Sequence, residues 1–509
     1  MAYFPELSLT DVGTSRQIVL LTILAILVLS WLRPGSPRIT DTPVHGFRFW
    51  FETSFLLKAR FVMNASQIIE SGYNKFKDVP FVVRRFDADI TVLPIKYLDE
   101  LRLLPVSKLS AKESQAKNFA MKWTATKAIH HSSLHVRVLN NKLNHDLPKF
   151  IDLAHDEMDY VWDKYIPQPD KWTEIDFQTA IRNVVCRMSA RIFMGFPACR
   201  DERWLNAFSV LDALPIAPLL PSRWKTKQQM RVSEEVVRGL LQKHTIFKEK
   251  YSREGPAAIT GSEMHDTLMG WMFDNASEEE NSVTDLAARA CMLTLASIHT
   301  TAMTVSNLLF DLCDYPEWFE VLRREIEDVT ERWGPLDRAE KLNIKQWLAK
   351  LEKMDSFFIE SQRLHPAILL APQRVAIEPL TLKDGTTIPA GTWVAWAGHQ
   401  HANDAAVISN PATFDPMRSY RKRHSAPGLE SKYAAGQADM NSLAFGYGTQ
   451  ACPGCYFAVG EIKMILARLL IECEFKYPPG KSHPKAIHSY EIVHVDPGAK
   501  LMARRRKEN

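Results

Sequence analysis

The chain has 509 residues, with 63 lysines and arginines against 59 aspartates and glutamates, a formal net charge of only +4. That near balance excludes the strongly basic composition expected if a nucleic-acid backbone were the main partner. With 46% hydrophobic and 24% charged residues and a mean hydropathy of −0.19, the chain is globular, neither disordered nor a multi-spanning membrane protein. Its length allows several domains or one large enzyme fold.

The first element is the uncharged apolar run Ile18 to Leu32, bracketed by Arg16 and Arg33 and followed by Pro34. It would form about 22 Å of helix against a hydrocarbon core of about 30 Å, so it spans a bilayer only if flanking residues join it. No small-residue cleavage site follows, which favours a retained anchor over a removed signal peptide. Glu6 and Asp11 before the run and Arg33 and Arg38 after it favour a cytosolic body, although Arg16 argues the other way. Residues 1–33 are therefore expected to be a single-pass anchor, 34–48 a proline-containing linker, and 49–509 one folded unit.

Within that unit no repeat or low-complexity stretch stands out, and helical patterns dominate from about residue 110 to 365. The segment Leu214 to Trp224, LPIAPLLPSRW, is apolar and broken by prolines. Two readings stand for it: a buried connection, or a loop resting on a bilayer. A long apolar helix is expected from Asp285 to Leu312, and another from Pro316 to Trp333, with proline and Glu317 in its first turn. After Pro366 the character changes. The stretch 373–398 has β-branched residues, short alternations and turn signals at Asp384-Gly385 and Ala390-Gly391, which predict small sheets. A last helix is expected from about Cys455 to Cys473. The fold class is mainly α with small β-sheets.

Seven cysteines, Cys186, Cys199, Cys291, Cys313, Cys452, Cys455 and Cys473, are an odd and irregularly spaced set. A disulfide framework is disfavoured, and the folded part is expected in a reducing compartment. Cys452 and Cys455 form one CxxC without a second pair, which argues against zinc and leaves a redox pair as a minor alternative. The stretch FGYGTQACPGCYFA, from Phe445 to Ala458, is the most informative. Phe445, Gly448, Cys452 and Gly454 fit FxxGxxxCxG. Glycines let the backbone turn tightly, approach a flat ligand and aim N–H groups at one sulfur, and a thiolate so held can coordinate a metal on its open side.

On these residues the chain resembles the cytochrome P450 family, from the anchor to about Lys500. The resemblance implies a P450 fold, haem b (iron-protoporphyrin IX) as cofactor, and Cys452 as its axial thiolate, a ligand that favours O–O cleavage. The family commonly has a basic residue where Gln450 stands and an arginine where Cys455 stands. Those departures put haem-propionate pairing and docking of an acidic reductase at these two positions in question. Glu360-Ser361-Gln362-Arg363 matches ExxR and precedes Leu364-His365-Pro366, as the family's buried pair does, and Phe414 to Arg418 resembles the segment that completes it. Glu360, Arg363 and Arg418 are thereby expected to form a structural clamp. Arg374, and His135 with Arg137, resemble propionate partners, with a plain surface helix as the other reading of the last two. In Ala296 to Thr301, ASIHTT, serine replaces the usual glycine and histidine the usual acid of the oxygen-activation motif. Thr300 is expected to supply the catalytic hydroxyl and His299 a proton relay.

The resemblance extends to fungal secondary-metabolism members, including kaurene oxidases and indole-diterpene oxidases, through the IHTT segment and through stretches at Arg191 to Gly195 and Asp266 to Met272. It implies a monooxygenase using dioxygen, with electrons from NADPH through a cytochrome P450 reductase, acting on a lipophilic terpenoid, indole-terpenoid or polyketide. Neither GxGxxG nor GxxxxGK[ST] occurs, so electrons should come from a separate protein. The run HPAILLAP, with Leu293 and Ala296, suggests an apolar pocket. The implied location is the endoplasmic reticulum membrane with a cytosolic catalytic unit, where the sequons at Asn64 and Asn275 would be chance matches. Two rivals remain at this point: a haem-thiolate isomerase, ring-forming or peroxide-using enzyme, and a membrane-tethered binding protein in which Cys452 is merely buried.

Overall fold

A computed structural model describes residues 36–118, 127–208, 222–255, 266–336 and 342–507. The anchor at 18–32 and most of the proline-broken segment at 214–224 lie outside the described residues. Among those described, no helix is long and apolar enough to cross a membrane.

The organising element is the helix Val283–Asp314, two residues longer at each end than the sequence pattern predicts. It starts where the Ser282 side chain accepts the Asp285 N–H, satisfying one of the free donors of the first turn. It ends at Tyr315, and Pro316 opens the next helix, Glu317–Trp333. Leu286, Val305, Leu308, Leu309 and Leu312 are fully buried along it. Each such side chain contributes about 2 kcal/mol, against only about 0.5 kcal/mol for the poor helix propensity of each interior threonine. Burial therefore decides that this segment is a helix. Against it pack Phe177–Met194, Ser222–Glu254, Glu352–Leu364 and Cys455–Glu472, while Leu147–Tyr165 lies across the helices at 177–194 and 455–472. Their shared faces form one large apolar core.

Beside the helices a five-stranded sheet runs in the order Phe81–Arg84, Asp89–Val92, Trp393–Ala395, Gln373–Ala376, Leu109–Ser110. Only the pairing of Asp89–Val92 with Trp393–Ala395 is parallel. The strands at 373–376 and 393–395 fall in the stretch where small sheets are predicted. The hairpin at 81–92, which the sequence reading does not single out, supplies the sheet's edge. Leu380–Thr381 pairs with Thr387–Ile388 across the predicted Asp384-Gly385 turn, where Gly385 has φ +86°. This sheet matters to the site because its interior strand Gln373–Ala376 is buried along its whole length and carries Arg374 into the protein.

Candidate active site

The loop before Cys452 is closed on itself by the Cys452 N–H donating to the Phe445 carbonyl at 2.8 Å. Gly448 has φ +82°, and a Cβ there would lie 2.2 Å from the Arg102 carbonyl oxygen. No other residue fits, because the loop docks on that backbone and Thr449 donates its N–H to the same carbonyl at 3.1 Å. Asn144 braces the far side by donating to the Pro453 carbonyl at 2.9 Å. Phe445 packs against the main core.

Cys452 lies deep among protein atoms, yet its own surface is open. It can therefore be reached from outside although it sits deep in the fold. Burial pushes its thiol pKa up, and the Gly454 N–H aimed at the sulfur pulls the other way. Cys455, three residues on, is the first residue of the helix Cys455–Glu472 and is buried, with its pKa pushed up to about 11 by burial. It is an unreactive thiol, and the two cysteines are not bonded. A Cβ at Gly454 would meet nothing within 4 Å. The protein does not demand glycine there for its own packing, so the backbone leaves a bare floor beside the sulfur.

Arg374 supplies the second half of the arrangement. It is 6% exposed and donates only to carbonyls, those of Gln373 at 2.8 Å and Gln450 at 3.2 Å. No carboxylate pairs with it among the described residues, and burial alone lowers its pKa to about 10. A buried cation without an anion is costly, by several kcal/mol. An anionic group of a ligand would relieve that cost. Gln450 carries no charge and acts instead through hydrogen bonds. Its side chain accepts the Ala111 N–H at 2.8 Å and donates to the Leu109 and Leu104 carbonyls at 2.7 and 3.3 Å. It splints the cysteine loop to the 104–111 segment. An open thiol with an N–H aimed at it, a bare glycine floor and an uncompensated buried guanidinium fit a flat, metal-centred, doubly anionic macrocycle such as haem.

In the central helix, Ala296 and Thr300 are exposed while Ile298, Thr301 and Ala302 are buried. Spaced i, i+4, the two open residues share one helix face. The Thr300 hydroxyl donates to the Ala296 carbonyl at 2.7 Å, and the Thr304 hydroxyl donates to the Thr300 carbonyl at 2.8 Å. His299 is half-buried. Leu293 is buried, and Leu369 and Leu370 of the HPAILLAP run are packed into a core cluster. Of the expected apolar lining, Ala296 is open on the helix face, whereas Ala367 and Ile368 line a separate cavity beside Glu360 and Arg363.

The structure gives His135 and Arg137 other partners. Arg137 donates to Glu280 at 2.8 Å and to the Asn275 carbonyl at 3.1 Å, so its charge is already matched. His135 is buried with its Nδ1 3.2 Å from Arg289. Burial, then the Arg289 charge, drives its pKa down to about 3, and a neutral imidazole has no charge to offer a propionate.

Glu360, Arg363 and Arg418 are brought together. Arg363 grips Glu360 through two bonds, at 2.7 and 3.0 Å, and Arg418 Nε donates to the same carboxylate at 3.1 Å. The Asp415 N–H adds a further bond to Glu360 at 2.9 Å. The remaining donors of the two arginines are used on Asn403 and on the carbonyls of Ser409, Asn410, Pro411 and Thr413. A cavity of about 530 Å³ beside this network is lined by Glu360, Arg363, His399 and Leu443 among others, and includes neither Cys452 nor Thr300 nor Arg374. It is distinct from the cysteine site.

A polar track beneath the threonine face escaped the sequence reading. Glu461 is completely buried, 3.5 Å from the Ser189 hydroxyl, which in turn lies 2.9 Å from the Ser297 hydroxyl. Burial raises the Glu461 pKa well above the usual carboxylate range, so it is held neutral. The available signal was an acid beside the apolar run Phe457 to Gly460, at the start of a largely apolar helix.

A family model described as Cytochrome P450 matches residues 105–503. The chain belongs to the cytochrome P450 family. It is 44% identical over 487 residues to the cytochrome P450 monooxygenase ATR4 of Stachybotrys chlorohalonatus, covering 92% of this chain and 91% of that protein. It is 35% identical over 494 residues to an ent-kaurene oxidase of Fusarium fujikuroi, covering 93% and 89%. A retinoic acid-bound cyanobacterial CYP120A1 has a similar fold, with a TM-score of 0.64 at 18% identity over 93% of this chain and all of that one. This P450 is a haem-thiolate monooxygenase that uses dioxygen and a redox partner on a small molecule.

Proposed function

We propose that this P450 is attached to the endoplasmic reticulum membrane, faces the cytosol, receives electrons from NADPH through a cytochrome P450 reductase, and oxidises a lipophilic terpenoid or indole-terpenoid. The observation that carries the site assignment is the pairing of an exposed Cys452 with a buried Arg374 that meets no carboxylate among the described residues. Cys452 would hold the haem iron and Arg374 a propionate. When bound, the haem supplies dioxygen activation and insertion of one oxygen atom into substrate.

The chain's own residues handle protons and exclude water. The Thr300 hydroxyl rests on the Ala296 carbonyl and can turn from it to hold a water or donate a proton on the open helix face. His299 occupies the position beside it where a proton-carrying side chain would refill that proton. The buried leucines behind this face keep bulk water from the helix.

Two further facts support the reading. A relative is named an ent-kaurene oxidase, which points to a terpenoid. Phe47, Phe49, Trp50, Phe51, Phe55 and Leu56 are exposed just after the described chain begins, Trp50 at 95%. An aromatic patch of that density next to a segment expected to be an anchor suits a bilayer interface.

The test is co-expression with a reductase, followed by metabolite profiling under isotope-labelled dioxygen against a strain carrying Cys452→Ala. We expect a labelled product that depends on NADPH, reductase and Cys452. Turnover with peroxide and none with NADPH and reductase would contradict the proposal.

A further inference from the structure

At the end of the central helix, away from the cysteine loop, two acids stand in the last turn, Asp311 and Asp314, and no basic residue accompanies them. The carbonyl end of a helix repels negative charge. Asp311 is nonetheless only 2% exposed. Its Oδ1 meets His365 Nε2 at 2.9 Å, and its Oδ2 is buried with no hydrogen-bond partner. No lysine or arginine pairs with either acid among the described residues. The position calls for a cation, which the described side chains supply only through imidazole.

Two imidazoles stand there. His365, the C-cap of the helix Glu352–Leu364, is held in place by its N–H bond to the Ser361 carbonyl. His483 comes from the segment between the strands Cys473–Lys476 and Ile487–Ser489. The two rings stack at 4.7 Å with 15° between their planes. One ligand atom from each of Asp311, His365 and His483 lies within 4.8 Å of the others. His483 Nδ1 is 2.7 Å from Asp314 Oδ2. That bond fixes Nδ1 as the protonated nitrogen and leaves Nε2 free to coordinate, the carboxylate–histidine pairing that commonly supports a metal ligand.

We propose that Asp311, His365 and His483 form a binding site for a divalent transition-metal cation, of which zinc is the best fit. Asp314 orients His483 from behind, and a water completes the tetrahedron. Two imidazoles and a carboxylate suit zinc at about 2.0–2.2 Å per bond, with the fourth position open. The edges of such a tetrahedron measure about 3.3 Å, so Asp311 and His365, 2.9 Å apart, would part slightly on binding and the stacked rings would turn towards the ion. Both histidine side chains are 26% exposed, which gives the ion a way in from solvent. Bound there, the ion would tie together the end of the central helix, the end of the helix that carries Glu360 and Arg363, and the 477–486 segment. The three ligands lie on distant parts of the chain, and none belongs to the cysteine site or to the clamp.

The test is titration of untagged, full-length, haem-loaded protein with zinc against a chromophoric chelator, with thermal midpoints recorded in parallel. We expect one ion per chain and a rise of the midpoint with zinc concentration. His483→Ala should weaken binding by more than tenfold, and Asp314→Asn by about tenfold. Both should keep the wild-type Soret spectrum of the carbon-monoxide complex, which shows that the fold is intact. No saturable binding, or binding unchanged in His483→Ala, would overturn the site and leave Asp311 and His365 as a plain hydrogen-bonded pair.

Discussion

Two buried arginines in this P450 are in opposite electrostatic states. Arg363 is matched by Glu360, and its other donors end on Asn403 and on the carbonyls of Pro411 and Thr413. Arg374 is as deeply placed, yet it touches only the carbonyls of Gln373 and Gln450 and faces no carboxylate among the described residues. A closed network of the first kind holds a fold together and has nothing left to offer a ligand. An open one of the second kind costs stability until something anionic arrives. The same contrast separates the cysteines: Cys455 is sealed in a helix start, whereas Cys452, on a loop braced from both sides, is left exposed.

The largest effect is expected at the closed end. Glu360→Gln strands two buried guanidiniums at once and should cost about 3–5 kcal/mol, read as a collapse of soluble haem-containing protein or of its denaturation midpoint. Arg374→Gln should do the reverse. Its apoprotein stability should stay within about 1 kcal/mol of wild type, because two hydrogen bonds are lost while an unpaired buried charge is relieved. Haem retention against an apomyoglobin trap should fall at least tenfold. Equal stability losses in both variants would erase the distinction between the two arginines.

The pH dependence sharpens the same point. His135 is buried and His399 half-buried, and burial lowers their pKa values to about 3 and about 4, which keeps both neutral. Below the ordinary value of about 6.5 the unfolded chain binds protons that the folded chain refuses, so stability is full above that pH and falls as pH drops towards 4 and 3. At pH 5 each histidine should cost about 2 kcal/mol, and His135→Gln should flatten the slope in a urea titration at pH 7 and pH 5.

Thr300→Ala should be the mildest for the fold. The hydroxyl bonds only to the carbonyl one turn back, so stability should change by under about 0.5 kcal/mol. Product formed per NADPH consumed should fall several-fold. Unchanged coupling would remove Thr300 from its assigned role.

What was legible beforehand follows from what each feature depends on. The central helix and the cysteine loop depend on local pattern, an apolar run with a serine cap and four residues at fixed spacing, and both stand in the sequence. The hairpin at 81–92 is short, and its pairing with 393–395 crosses most of the chain, so no local signal announces it. His135 and Arg137 looked available because their partners, Arg289 and Glu280, come from another part of the chain. Gln450 looked like a loss because only the fold reveals that its amide splints the 104–111 segment. The solitude of Arg374 and the meeting of Asp311, His365 and His483 are tertiary facts of the same kind. They concern which partners are absent or distant, and no spacing in the chain encodes that.

The central claim is that Cys452 is the haem ligand. It is tested most directly by the spectrum of the reduced, carbon-monoxide-treated protein, compared between wild type and Cys452→Ala. The account predicts the red-shifted Soret band of a thiolate-bound haem in wild type and its complete loss in the variant, with the helical circular dichroism retained. The same band in both proteins, or in neither, would contradict it.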